Sequence, residues 1–115
     1  MVTRRAVIRW KTKEEGGRTS PPVGEGPYHP TVLFADESLD PPPDVIWTLV
    51  VDRVKALDPL EWFADVHFLV EEAPHHRLRS GAEFSLYEGR RRVADGRVVE
   101  AAEPAAVGSS QRPAE

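Results

Sequence analysis

The chain has 115 residues, 40% of them hydrophobic and 30% charged, with a formal net charge of -4 and no cysteine. That length holds one domain with one real hydrophobic core, and the composition is that of a soluble globular chain, not a disordered one. Disulfides, thiolate zinc sites and cysteine nucleophiles are excluded, and the net negative charge supplies no bulk pull toward nucleic acid or an anionic membrane.

The opening, MVTRRAVIRWK, alternates instead of forming an apolar block, and no apolar run is long enough to span a bilayer. The expectation is therefore no secretory signal, no membrane association and a cytoplasmic location by default. Eleven prolines and eight glycines cut the chain into short segments, which favours β architecture.

In RRAVIRWKT, Ala6, Ile8 and Trp10 point one way while Arg5, Val7, Arg9 and Lys11 point the other, as in a strand with one buried face. Residues 11–30, KTKEEGGRTSPPVGEGPYHP, read as a long charged loop that is neither helix nor regular strand. TVLFA (31–35) resumes β character, and DESLDPPPD (36–44) breaks it, because proline cannot donate to a ladder. VIWTLVV (45–51) is apolar on both faces, as a barrel strand would be. Asp58-Pro59-Leu60-Glu61 has helix-start chemistry, so one helical turn is expected there at most. Trp62, Ala64, Val66, Phe68 and Val70 then alternate as a long strand. GAEFSLYEGRRRVADGRVV reads as a hairpin with Ala82, Phe84 and Leu86 on one side, Glu88-Gly89 at the turn and residues 90–99 returning. Asp95-Gly96 interrupts the alternation and predicts a bulge or bend. Residues 1–100 are thus expected to form one domain and 101–115 a disordered tail.

About six short strands without a long helix imply an all-β, six-stranded antiparallel barrel, since an open sheet would expose its edges. The aromatic residues, Trp47, Trp62 and Phe63 included, are then most simply core.

Several segments resemble a known family. KEEGGRTSP (13–21) is similar to the KEEGGRHTP segment of the C-terminal β-barrel domain of elongation factor Tu. Gly26-Pro27-Tyr28-His29-Pro30 resembles that family's glycine-tyrosine-arginine-proline step and likewise leads into a strand ending in Phe34. Ala73-Pro74, Gly81, Phe84, Glu88-Gly89, Arg91, Val93 and Gly96 continue the similarity, which spans about residues 5–99. The match fails in the middle segment, residues 52–64, where LDPLEWF replaces the family's methionine-proline-glycine-aspartate loop. Thr31, His29 and Tyr87 also replace family residues. No G-x-x-x-x-G-K-[ST] exists, so GTP hydrolysis and nucleotide binding are not expected.

The resemblance implies a Greek-key barrel. It also implies that Lys13, Glu14, Glu15, Gly16, Gly17 and Arg18 face a neighbour, because that loop lies toward the GTPase domain in the family. Here it would meet an unknown protein partner, or else be kept because it closes the barrel. The same resemblance places Glu88, Gly89, Arg90, Arg91 and Arg92 where the family touches the T-stem of aminoacyl-tRNA, so tRNA or another structured RNA is the alternative partner. With Arg77, Arg79 and Arg97 these form the basic cluster, and guanidinium forks suit phosphate. The competing reading, favoured here, is a solvated strand face with Glu83 or Glu88 neutralising the arginines.

Other constellations carry less. His75-His76 lacks a third metal ligand, and the pairs Glu14-Glu15 and Glu71-Glu72 read as solvated carboxylates. Asp65 and His67 share a strand face like a base with its orienter, but no serine is placed as nucleophile. The expectation is a non-catalytic binding module with no metal and no cofactor, with a small hydrolase around Asp65 and His67 as a third reading.

Overall fold

In a computed structural model, residues 3–18 and 26–99 are described. Six strands follow in order: β1 (Arg4–Trp10), β2 (Thr31–Phe34), β3 (Trp47–Asp58), β4 (Glu61–Phe68), β5 (Glu83–Glu88) and β6 (Arg91–Val98). Two short 3-10 helices, Lys13–Glu15 and His75–Arg77, lie in connections, and no α-helix occurs among the described residues. The strands close into an antiparallel barrel in the order β1-β4-β3-β2-β5-β6. The expected tail, residues 101–115, lies outside the described residues.

Alternation drives closure. Ala6, Ile8 and Trp10 of β1 and Trp62, Ala64, Val66 and Phe68 of β4 are all buried, as are Phe84 and Leu86 of β5. These inward side chains, with Val32, Phe34, Leu49, Val51, Val93, Ala94 and Val98, make one core. No polar or charged side chain among the described residues is buried in it. The seam between β2 and β3 is the thinnest, with Thr31 opposite Thr48 and Val32 opposite Trp47. It is extended by the Leu49 N–H donating to the Pro30 carbonyl and by a two-bond bridge between Tyr28 and Val51.

Four local expectations are corrected. Asp58-Pro59-Leu60-Glu61 makes no helical turn: β3 runs to Asp58 and a two-residue turn returns directly into β4. Strand character begins at Trp47, later than expected, leaving Val45 and Ile46 exposed, and β4 ends at Phe68, leaving Leu69 and Val70 exposed. Asp95-Gly96 carries no bulge, since Ser85 faces Asp95 and Phe84 faces Gly96 in regular register; the irregularity lies between Leu86 and Tyr87. Gly96 is instead a packing glycine, where an added Cβ would stand 2.4 Å from the Phe84 ring and 2.9 Å from Ile8. Finally, Phe63 is not core: it faces outward beneath the Arg5 guanidinium, 5.9 Å from the ring centre.

Candidate functional site

Both sequence-predicted segments emerge at one end of the barrel. Where β1 ends, the Trp10 N–H donates to the Leu60 carbonyl and the Lys11 N–H to the Val93 carbonyl. The chain then turns immediately. Thr12 caps the 3-10 helix Lys13–Glu15 with a reciprocal box: its hydroxyl accepts from the Glu15 N–H at 3.3 Å, and the Glu15 carboxylate accepts from the Thr12 N–H at 2.8 Å. That backbone bond, with smaller help from the Thr12 hydroxyl and from Lys11 and Arg9, holds the Glu15 carboxyl below its usual range. Gly16 ends the turn at φ +90°, a left-handed conformation that glycine adopts without a Cβ penalty. Gly17 is buried against Lys11, whose carbonyl oxygen would lie 2.4 Å from an added Cβ. The glycine pair therefore has a complete local explanation.

The β5–β6 hairpin stands beside this turn. Its two turn residues are Gly89, at φ +62°, and Arg90, joining Glu88 to Arg91. The bulge between Leu86 and Tyr87 sets Tyr87 opposite Arg92. Extra twist at a bulge re-aims the side chains near a strand end.

One carboxylate joins the two segments. Glu88 Oε2 accepts from both Arg18 Nη1 and the Tyr28 hydroxyl, and the Arg18 guanidinium also lies 5.8 Å from the centre of the Tyr28 ring. Arg18 and Glu88 are each about one-third exposed, 31% and 32% by side chain. Burial, then the hydrogen bond to Glu88 and its charge, push the Tyr28 phenol well above its usual range, so it stays a donor at any ordinary pH.

The arginines of the cluster differ in their partners. Arg92 donates to Asp95 from Nε at 2.8 Å, and Asp95 also accepts from the Ser85 hydroxyl at 2.9 Å. The expected neutralisation by Glu88 is corrected: Glu88 is taken by Arg18, and Asp95 takes Arg92. Arg90 and Arg91 are exposed and make no ion pair among the described residues. Arg77 lies over Phe34, 4.6 Å from the ring centre, and pairs with Asp36. Lys13, Glu14, Glu15 and Gly16 are exposed, whereas Arg18 is turned inward. The end of the barrel thus presents Lys13, Glu14, Arg90 and Arg91 on backbone held by its own bonds.

The other candidates are separate. Asp65 accepts from Arg5 Nε at 2.9 Å, and His67 Nδ1 donates to the Phe68 carbonyl at 2.9 Å, so neither serves the other. A concavity of about 530 Å³ on the outer face is lined by Val7, Arg9, Leu33, Ser85, Tyr87 and Arg97, among others. A second, of about 470 Å³, lies by His76, Arg77 and Arg79. Asp65 and His67 line neither. His75 Nε2 donates to the Glu71 carbonyl at 2.8 Å, and its ring packs edge-on against Phe68. Among the described residues no three potential ligands gather to hold a metal, and no helix is long and apolar enough to cross a membrane.

Sequence reasoning missed the roles of Tyr28 and Thr12. Thr12 followed by Glu15 has the capping-box spacing and was readable as such. Tyr28 carried no such signal, because its partner Glu88 is 60 residues away. No protein-family model matches this chain, and no curated protein is similar enough to it to count as a relative.

Proposed function

We propose that the chain is a non-catalytic binding module of the cytoplasm. In this reading it is a free-standing barrel with the Greek-key connectivity of the third domain of elongation factor Tu, and it docks another protein at the end carrying residues 13–18 and 88–91. One observation carries the proposal. Two segments far apart in sequence are drawn together by Glu88 into one surface whose outward groups, Lys13, Glu14, Arg90 and Arg91, are charged and exposed. Mixed charges on a fixed scaffold select partners through electrostatic complementarity and speed their encounter. Arg18 is a poor probe of this surface, because reversing its charge breaks its own pair with Glu88.

The second reading keeps an RNA stem as partner, with the exposed Arg90 and Arg91 of the hairpin as its contacts. The hairpin turn offers it two guanidiniums outside any ion pair among the described residues, since Arg92 is held by Asp95. Each phosphate contact steepens the salt dependence of binding, so two give a shallow slope.

A single set of variants separates the two. Lys13→Glu and the pair Arg90→Glu and Arg91→Glu lie on exposed residues and should leave the fold intact. A partner captured by the wild-type protein and then purified should bind these variants about tenfold or more weakly. Labelled tRNA titrated at two salt concentrations should show no arginine-dependent binding. If tRNA binds and only the arginine variants lose it, the RNA reading replaces the protein one. A purified partner that binds every variant like the wild type removes the docking end.

A further inference from the structure

We propose that Glu88 is a positioning residue that couples the two halves of this docking end, so that losing its one carboxylate loosens the 3-10 turn and the Tyr28 step together. The inference rests on the docking reading only for its functional meaning.

Three features carry it. First, both donors converge on the same oxygen, Oε2, so neutralising Glu88 removes two contacts at once. Charge-assisted hydrogen bonds are the stronger kind, and a partly exposed one is still reached by competing ions. Second, the two donors belong to different structural units. Arg18 follows the capped turn, which is closed by the Gly17 N–H donating to the Thr12 carbonyl at 2.9 Å. Tyr28 is anchored to β3 by its paired bonds with Val51, each 2.8 Å. Glu88 and the Arg18 guanidinium over the Tyr28 ring join the two units. Third, Glu88 ends β5, one residue before the turn that presents Arg90, so whatever displaces Glu88 also moves the hairpin. A partner pulling on the hairpin is thereby felt at Lys13, and the reverse.

Amide exchange on the whole chain tests this without any partner. Glu88→Ala should accelerate exchange of the Gly17 amide and the position-28 amide together, by about tenfold or more, while the Ile8 amide in β1 keeps its wild-type rate. Should that variant not fold, Tyr28→Phe removes one donor alone. Under coupling it must also accelerate Gly17, which a purely local role for the hydroxyl would leave unmoved. Combining Arg18→Glu with Glu88→Arg should return the Gly17 amide toward its wild-type rate, relative to either change alone. An unmoved Gly17 amide in Tyr28→Phe, or no recovery in the exchanged pair, overturns the proposal. Because only exchange is read, such a failure leaves the docking reading standing, and failed docking variants with intact coupling leave this inference standing.

Discussion

Alanine at Phe68 should cost the barrel about 3–5 kcal/mol, among the largest losses expected from any single truncation in the core. Phe68 is fully buried and touches Phe34, Trp47 and His75 at ring distances of 6.2, 6.4 and 5.6 Å. It fills the interior where β2 and β3 are joined by only two register pairs. Strands stitched that sparsely depend on the side chains behind them, and the remaining rings are too rigid to collapse into the space. Thermal unfolding should shift down by roughly 15 °C or more, and denaturant titration should move the midpoint at constant slope. Val54→Ala is the matched control: Val54 is 50% exposed, so its loss should stay within about 0.5 kcal/mol. Equal stabilities for the two variants would remove the closed core from the account.

The strands were legible where one face is buried and the other wet. Residues 62–68 alternate cleanly because β4 is paired on both sides, to β1 and to β3, and has one face on the core. The outer half of β3 could not be read, for the same physical reason in reverse. Residues 52–58 are exposed at every position, so burial imposes no period. Register shifts between Arg53 and Lys55, and between Ala56 and Asp58, add Val54 and Leu57 as extra residues and break what alternation remains. The Asp58 signal was real but ambiguous. Its carboxylate accepts from the Leu60 N–H at 2.8 Å, the bond that an N-cap makes to a first helical turn and that an Asp in a tight turn makes equally well. What decides is the distant pairing of β4, which local chemistry does not contain.

The candidate site divides in the same way. The KEEGG turn is held by neighbours in sequence, Thr12 with Glu15 and Gly17 with Lys11, so its shape was open to a reading by spacing. Its position beside the hairpin was not. Arg18 and Tyr28 meet Glu88 across 70 and 60 residues, and nothing in either segment alone marks the meeting. Sequence likeness placed the turn and the hairpin in separate roles, facing different partners. Barrel closure places them side by side, since β1 ends next to the start of β6 and β5 ends next to the same hairpin turn.

Alanine at Gly17 should destabilise the protein by about 1–3 kcal/mol even though the residue lies in a surface connection. The added Cβ would stand 2.4 Å from the Lys11 carbonyl oxygen and 2.7 Å from the Lys11 Cβ. Neither neighbour can yield cheaply. Lys11 is fixed by its N–H bond to the Val93 carbonyl, and Gly17 by its own N–H bond to Thr12. Relief therefore requires pulling the turn away from the end of β1 or giving up one of those bonds. Gly16→Ala makes the contrast, because no atom lies within 4 Å of its Cβ position and only the left-handed backbone at φ +90° is strained. That strain is worth roughly 1–2 kcal/mol. The two readings of the glycine pair diverge at this point. If Gly17 serves the barrel, denaturant titration of the isolated protein registers its loss with no partner present. If it served only the close approach of a neighbour, Gly17→Ala would unfold at the wild-type midpoint and fail only in docking. A wild-type midpoint for Gly17→Ala would thus return the glycine to the partner and take the local explanation of the turn with it.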